Sequence, residues 1–158
     1  MDREVPEGFQ QLGDNLGFID MLQPVYRRDG NPPTIGMHVL AQHTNLLDIC
    51  HGGVLMTLGD IAAAWAVNTE RGKPLSAPTL NLGFDFMSAA REGEWLEAQA
   101  DRVTVKRRVG FASGFICCGE RLVCRFSGTF YLPDPGAFDA NQERLAGMFS
   151  SMTNPADG

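Results

Sequence analysis

The residues with most to offer chemically lie in one stretch, Cys50 to Asn68. It opens with His51-Gly52-Gly53 and then runs apolar for about five helical turns, with Asp60 as its one formal charge. Glycines at a helix start leave backbone N–H groups bare, with no side chain to keep a ligand oxygen away. The helix dipole makes that end electropositive, so such N–H groups can polarise a carbonyl and hold a developing oxyanion. An acid inside an apolar helix is the complementary half: an apolar wall raises its pKa, and it can serve as nucleophile or general base. The two cannot meet within one helix. Asp60 follows Gly52 by eight residues, which is roughly 12 Å along the axis at 1.5 Å per residue. A site that uses both must draw Asp60 from another chain, and a two-fold dimer with antiparallel helices would make two equivalent sites.

The elements that must position these groups read as follows. Leu55, Met56, Leu58 and the alanines at 62, 63, 64 and 66 favour a helix over 52–68. Val54, Leu58, Ile61 and Trp65 fall on one face, and Met56, Asp60, Ala63, Ala64 and Val67 on the other. Both faces are apolar, which predicts burial on nearly all sides. Before the helix, a short helix is expected over 7–15. A strand weakened by Pro24 is expected over 17–28, a turn over 29–33 and a strand over 34–45. After it, 68–78 reads as a loop. Thr79 to Met87 alternates, with Leu80, Leu82, Phe84 and Phe86 on one side and Thr79, Asn81, Gly83 and Asp85 on the other. Strands over 95–108, 111–118 and 122–132 follow, the last two joined by Gly119-Glu120-Arg121 as a hairpin turn. A terminal helix over 137–152 and a tail complete the chain. The order predicts one α+β domain over 1–158, with 1–16 as an N-terminal extension and 137–158 as a C-terminal helix and tail.

Bulk properties exclude several classes. A net charge of −6 over 158 residues argues against sequence-independent nucleic-acid binding, which needs a basic footprint. The four cysteines show neither CxxC nor Cys/His ligand spacing, which points to free thiols in a reducing compartment. A Cys50 nucleophile would need a base partner that sequence adjacency to His51 does not ensure. His38 and His43 fall on opposite sides of their expected strand, which argues against a metal site with His51. The acidic, polar N-terminus does not read as a signal peptide, and the helix is too short to span a membrane. A cytoplasmic protein is expected.

Asn45-Leu46-Leu47-Asp48-Ile49-Cys50-His51-Gly52-Gly53, Leu58-Gly59-Asp60, Thr79 at the start of a strand, and Ser127-Gly128-Thr129-Phe130 resemble the hotdog-fold acyl-CoA thioesterases. The likeness is to the PaaI-like, phenylacetate-pathway group of the 4-hydroxybenzoyl-CoA thioesterase superfamily, and it spans roughly 34–132. It implies a long central helix wrapped by a curved antiparallel sheet, in homodimers that share active sites and often pair again into tetramers. It implies hydrolysis of an acyl-CoA substrate without a further cofactor or metal. The Gly52 N–H would bind the thioester carbonyl, with Asn45 assisting and His51 shaping the helix start. Asp60 of the second copy would be nucleophile or general base, and Thr79 of that copy would position the water. Asp48 stands where the family usually has glycine, and Gly59 where alanine is usual. Lys106-Arg107-Arg108 sits where the family often has Gly-Arg. With Gly53 at the carbonyl end, these three are candidates for contacts to coenzyme A, since arginine and lysine suit phosphates. Met56, Trp65, Phe84, Phe86 and Met87 are candidate acyl-lining residues. A non-catalytic acyl-CoA-binding module is the alternative reading, and a hydratase lacks a matching His and acid pair.

Overall fold

The computed structural model describes residues 3–72, 76–134, 136 and 137. Its centre is helix α1, Gly52–Arg71. The helix runs past the expected end at Asn68 because Thr69, Glu70 and Arg71 continue it until Gly72. That residue takes φ 68° and donates its N–H back to Asn68 O and Thr69 O, the left-handed stop for which glycine carries no steric cost. Leu55, Leu58, Ile61, Ala62, Ala63, Trp65, Ala66 and Val67 are all buried. The small residues let the sheet approach closely, and Met56 is exposed.

Seven strands wrap this helix: β1 (Phe9–Gln11), β2 (Val25–Arg28), β3 (Thr34–His38), β4 (Thr79–Phe86), β5 (Trp95–Val105), β6 (Val109–Cys118) and β7 (Arg121–Tyr131). They form one sheet in the order β1-β2-β3-β5-β6-β7-β4, with every neighbouring pair antiparallel. This is the hotdog arrangement that the resemblance implies. Strand β4 forms one edge of the sheet, and its free side carries no partner among the described residues. No described helix is long and apolar enough to cross a membrane.

Three local expectations are corrected. The stretch expected as a helix over 7–15 contains β1, because Phe9–Gln11 pairs with β2 and the Phe9 ring sits edge-on to Trp95 at 5.1 Å. Tertiary pairing overrides weak local preference here. The strand expected over 17–28 is a 3-10 helix at Gly17–Met21 followed by β2, which begins directly after Pro24. The strand expected over 34–45 ends at His38. Its continuation turns through a second 3-10 segment, Ala41–His43, where His43 Nδ1 accepts the Leu40 N–H at 3.1 Å. The helix expected over 137–152 lies, apart from Ala137, outside the described residues.

Candidate active site

The helix start is built by capping. His51 holds an extended backbone at φ −62° and ψ 136°. Its Nδ1 accepts the Gly53 N–H at 2.8 Å, and its carbonyl accepts from Val54 at 2.9 Å and Leu55 at 3.3 Å. His51 is therefore an N-cap. Gly53 N–H is consumed by this cap, and Gly52 N–H is left with no acceptor among the described residues. The one open donor at the electropositive end is thus on Gly52.

The preceding loop explains how Asp48 replaces a glycine. Residues 45–48 form a turn in which Asp48 N–H donates to Asn45 O at 3.0 Å. Leu47 N–H donates to Asn45 Oδ1 at 2.8 Å. Asp48 lies at φ 56°, a left-handed conformation that glycine adopts freely and aspartate tolerates better than most residues. The turn survives the substitution. With Oδ1 committed to it, the side-chain NH2 is what Asn45 can offer a ligand.

Asn45 and Gly52 share a cleft of about 330 Å³ with Ile49, Cys50, Leu55, Phe86, Met87 and residues 88–90. The Phe86 ring lies over Gly52, where an added Cβ would sit 3.3 Å from the ring edge. Two polar donors in apolar walls suit a carbonyl with an apolar group attached. Burial pushes the Cys50 thiol up to about 11, which disfavours the thiolate that a nucleophile needs. Of the expected acyl-lining residues, Phe86 and Met87 line the cleft. Phe84 packs inward against Phe126 at 6.0 Å, Trp65 is buried, and Met56 lies on the surface.

A second polar group sits further along α1. Thr79 Oγ1 donates to Asp60 Oδ1 at 2.8 Å. Burial raises the Asp60 carboxyl above the ordinary carboxylate range, and the Thr79 hydrogen bond opposes part of that rise. The alternation in 79–87 sets Thr79 on the side away from the apolar residues. A bulge corrects this: Thr79 pairs with Phe130 and Asn81 with Thr129, so Leu80 is the extra residue. Thr79 thereby gains the helix-facing side, and Leu80 is 60% exposed. Thr57, a possible structural partner for Asp60, donates instead to Gly53 O at 2.9 Å. Gly59 has its own reason, since a Cβ there would lie 2.7 Å from the Phe84 ring.

Within one chain these groups do not converge. Strand β4 runs antiparallel to α1, so Phe86 lies by Gly52 at one end while Thr79 lies by Asp60 towards the other. Neither Asp60 nor Thr79 lines the cleft. The basic trio forms the β5–β6 turn, closed by Lys106 N–H to Val109 O at 2.8 Å. Arg108 is bound to Asp134 at 2.8 Å and to the Tyr131 hydroxyl at 3.3 Å, while Lys106 and Arg107 are exposed. This turn sits at the C-terminal half of α1, where Gly110 abuts Val67. It is on the Asp60 side of the helix, away from Gly52. Among the described residues no group of three His, Cys, Asp or Glu side chains is placed to hold a metal ion. The wall at 88–90 and the bulge at Leu80 had no signal in the residue pattern.

The family model described as "Thioesterase superfamily" matches residues 47–125. A Pseudomonas aeruginosa protein named provisionally as an esterase is 37% identical over 131 residues, covering 82% of this chain and 98% of that protein. Mouse acyl-coenzyme A thioesterase 13 is 36% identical over 78 residues, covering 49% of this chain and 54% of that one. Among solved structures, a variant of the phenylacetic acid degradation protein PaaI from Thermus thermophilus superposes with a TM-score of 0.65 at 29% identity. That match covers 73% of this chain and 98% of the other.

Proposed function

This chain belongs to the thioesterase superfamily and is a thioester hydrolase, and on that premise we propose that it cleaves acyl-coenzyme A esters at sites shared between two copies. The carrying observation is the separation of the Gly52 donor from the Asp60–Thr79 pair along β4, a strand whose outer edge has no partner among the described residues. Pairing two β4 edges antiparallel about a two-fold axis sets the Thr79 end of one strand beside the Phe86 end of the other. That brings Asp60 of one copy towards the Gly52 cleft of its mate. An unpaired strand edge with the exposed Leu80, Phe86 and Met87 nearby is also a surface that natural sheets cover.

In such a site the thioester carbonyl accepts from Gly52 N–H and from the Asn45 amide. Negative charge developing on that oxygen is met by fixed donors, a contribution worth roughly 3–4 kcal/mol per donor. Asp60 either removes a proton from the attacking water or attacks the carbonyl carbon itself. Thr79 holds the carboxylate or the water. By the first route water adds its oxygen to the acyl carbon and the C–S bond breaks; by the second the C–S bond breaks to leave an acyl–Asp60 anhydride, which water then cleaves to the free acid and the Asp60 carboxylate. In both the thiolate leaves and takes up the proton given by the water. His51 fixes the helix start, and Gly53 contributes the absence of a side chain. Lys106 and Arg107 of the copy that supplies Asp60 lie in the β5–β6 turn, beside the C-terminal half of its helix. From there they meet the phosphates of coenzyme A, with Arg108 bracing their turn. The chemistry needs water, an activated carbonyl and one carboxylate, and no separate cofactor.

The test is thiol release from short, medium, long and aromatic acyl-CoA esters by the wild type and Asp60→Asn. We expect turnover on at least one ester, with kcat lowered by at least about 100-fold in the variant, the scale of a lost acid or base. Near-normal turnover by folded Asp60→Asn would refute the role. Tight ester binding without thiol release would favour a binding module instead.

A further inference from the structure

The cleft wall at 88–90 belongs to no strand or helix, yet it is bonded from several directions. Met87 and Ser88 donate their N–H groups to Val123 O at 2.8 and 3.2 Å, and Ser88 Oγ donates to Leu122 O at 2.7 Å. On its other side Ala90 O accepts Cys50 N–H at 2.7 Å, and Ile49 forms an isolated bridge with Arg91. The wall is therefore the buttress of the loop that carries Asn45 and leads into His51 and Gly52.

One side chain from outside the cleft holds the wall in place. Arg121, at the start of β7, donates to Ala89 O and to Ser88 Oγ. The same guanidinium donates to Glu94 Oε1 at 2.6 Å. The second Glu94 oxygen accepts Arg91 N–H at 2.7 Å. Ala90, with the carbonyl that holds Cys50, is thus fixed on both sides by one charged pair. Neither Arg121 nor Glu94 lines the cleft. Both are partly exposed, and as a simple ion pair they would contribute little. What an arginine fork adds is geometry, since its several donors reach three acceptors at once.

We propose that Arg121 and Glu94 are positioning residues that set the shape of the 88–90 wall and thereby the acyl group the cleft accepts. This rests on the thioester-hydrolase reading, because the group attached to a carbonyl at Gly52 must lie along that wall. Gly52 N–H is fixed by the helix and its cap, so a loosened wall changes substrate fit more than the chemical step.

The experiment compares wild type, Arg121→Ala, Arg121→Lys, Glu94→Gln and the Arg121→Ala/Glu94→Gln double variant. Arg28→Ala, which breaks a pair with Glu97 away from the wall, is the control. Steady-state kinetics over the acyl-CoA panel is read beside amide hydrogen exchange at Cys50. For Arg121→Ala we expect KM for the preferred ester to rise about tenfold with kcat within about threefold, and the preference among acyl groups to flatten. Cys50 exchange should quicken about tenfold. Arg121→Lys keeps the Glu94 pair without the fork and should fall between. The double variant should be no worse than Arg121→Ala, since the two residues act as a unit. Unchanged KM and acyl preference in folded Arg121→Ala and Glu94→Gln would overturn the proposal, as would Cys50 exchange equal to wild type. A wild type that releases thiol from no ester would overturn the hydrolase reading instead, while Cys50 exchange would still decide the clamp.

Discussion

The two polar stations on α1 are made of different material. At its start the working group is a backbone N–H, left open because His51 caps Gly53 and because the left-handed Asp48 shapes the approaching turn. Eight residues on, the candidate groups are side chains, Asp60 on the helix and its partner Thr79 on β4. The first station is electropositive through the helix dipole and does not titrate. The second titrates, and burial raises its carboxyl. On the proposed function each protomer carries both stations apart from one another, and two-fold symmetry is the simplest way to join them.

The sharpest way to break the contrast is to remove the backbone donor alone. Gly52→Pro deletes that N–H at the first helical position, where proline is accepted. His51 already holds the extended backbone that a following proline requires. An added Cβ there meets the half-exposed Phe86 ring at 3.3 Å. We expect kcat to fall roughly 100- to 1000-fold, the loss seen for one oxyanion donor, with circular dichroism unchanged. Activity near wild type would show that the carbonyl is bound elsewhere.

Mixing two crippled chains tests whether the stations belong to one site. After co-refolding Gly52→Pro with Asp60→Asn, half of the dimers are mixed, and each mixed dimer carries one intact site. Activity should recover to about one quarter of wild type. No recovery, in a mixture shown to exchange subunits, would place each site within a single chain.

Smaller effects separate the titrating station from the fixed one. Thr79→Val removes the hydrogen bond that favours the Asp60 carboxylate, so the acid limb of kcat/KM should move to higher pH. An unmoved limb would assign it to another group. Stability runs the opposite way from activity. The folded-state pKa of Asp60 is raised, so the native protein binds more protons than the unfolded chain between the two pKa values. Stability therefore falls as pH rises through that window and is level above it. Asp60→Asn should raise Tm at neutral pH, since it removes the buried charge. The gain should shrink below the ordinary carboxylate range. An Asp60→Asn protein that melts lower at neutral pH would mean the carboxylate is structural.

The helix and the strands that follow it were legible in the residue pattern, as were the two candidate stations at Gly52 and Asp60. These depend on period, on glycine at a helix start and on one misplaced charge, all local signals. The distance between Gly52 and Asp60 was legible too, because helical rise is constant. Where β1, β2 and β3 pair was settled by tertiary contacts. Phe9–Gln11 becomes a strand only because β2 and Trp95 receive it. Such contacts also decided the bulge at Leu80, which turns Thr79 towards Asp60, since a bulge is a property of two paired strands. The wall at 88–90 is likewise a product of Val123, Arg121 and Glu94. The helix carries its chemistry in its own hydrogen-bonding pattern, and everything that aims that chemistry depends on contacts between residues distant in the chain.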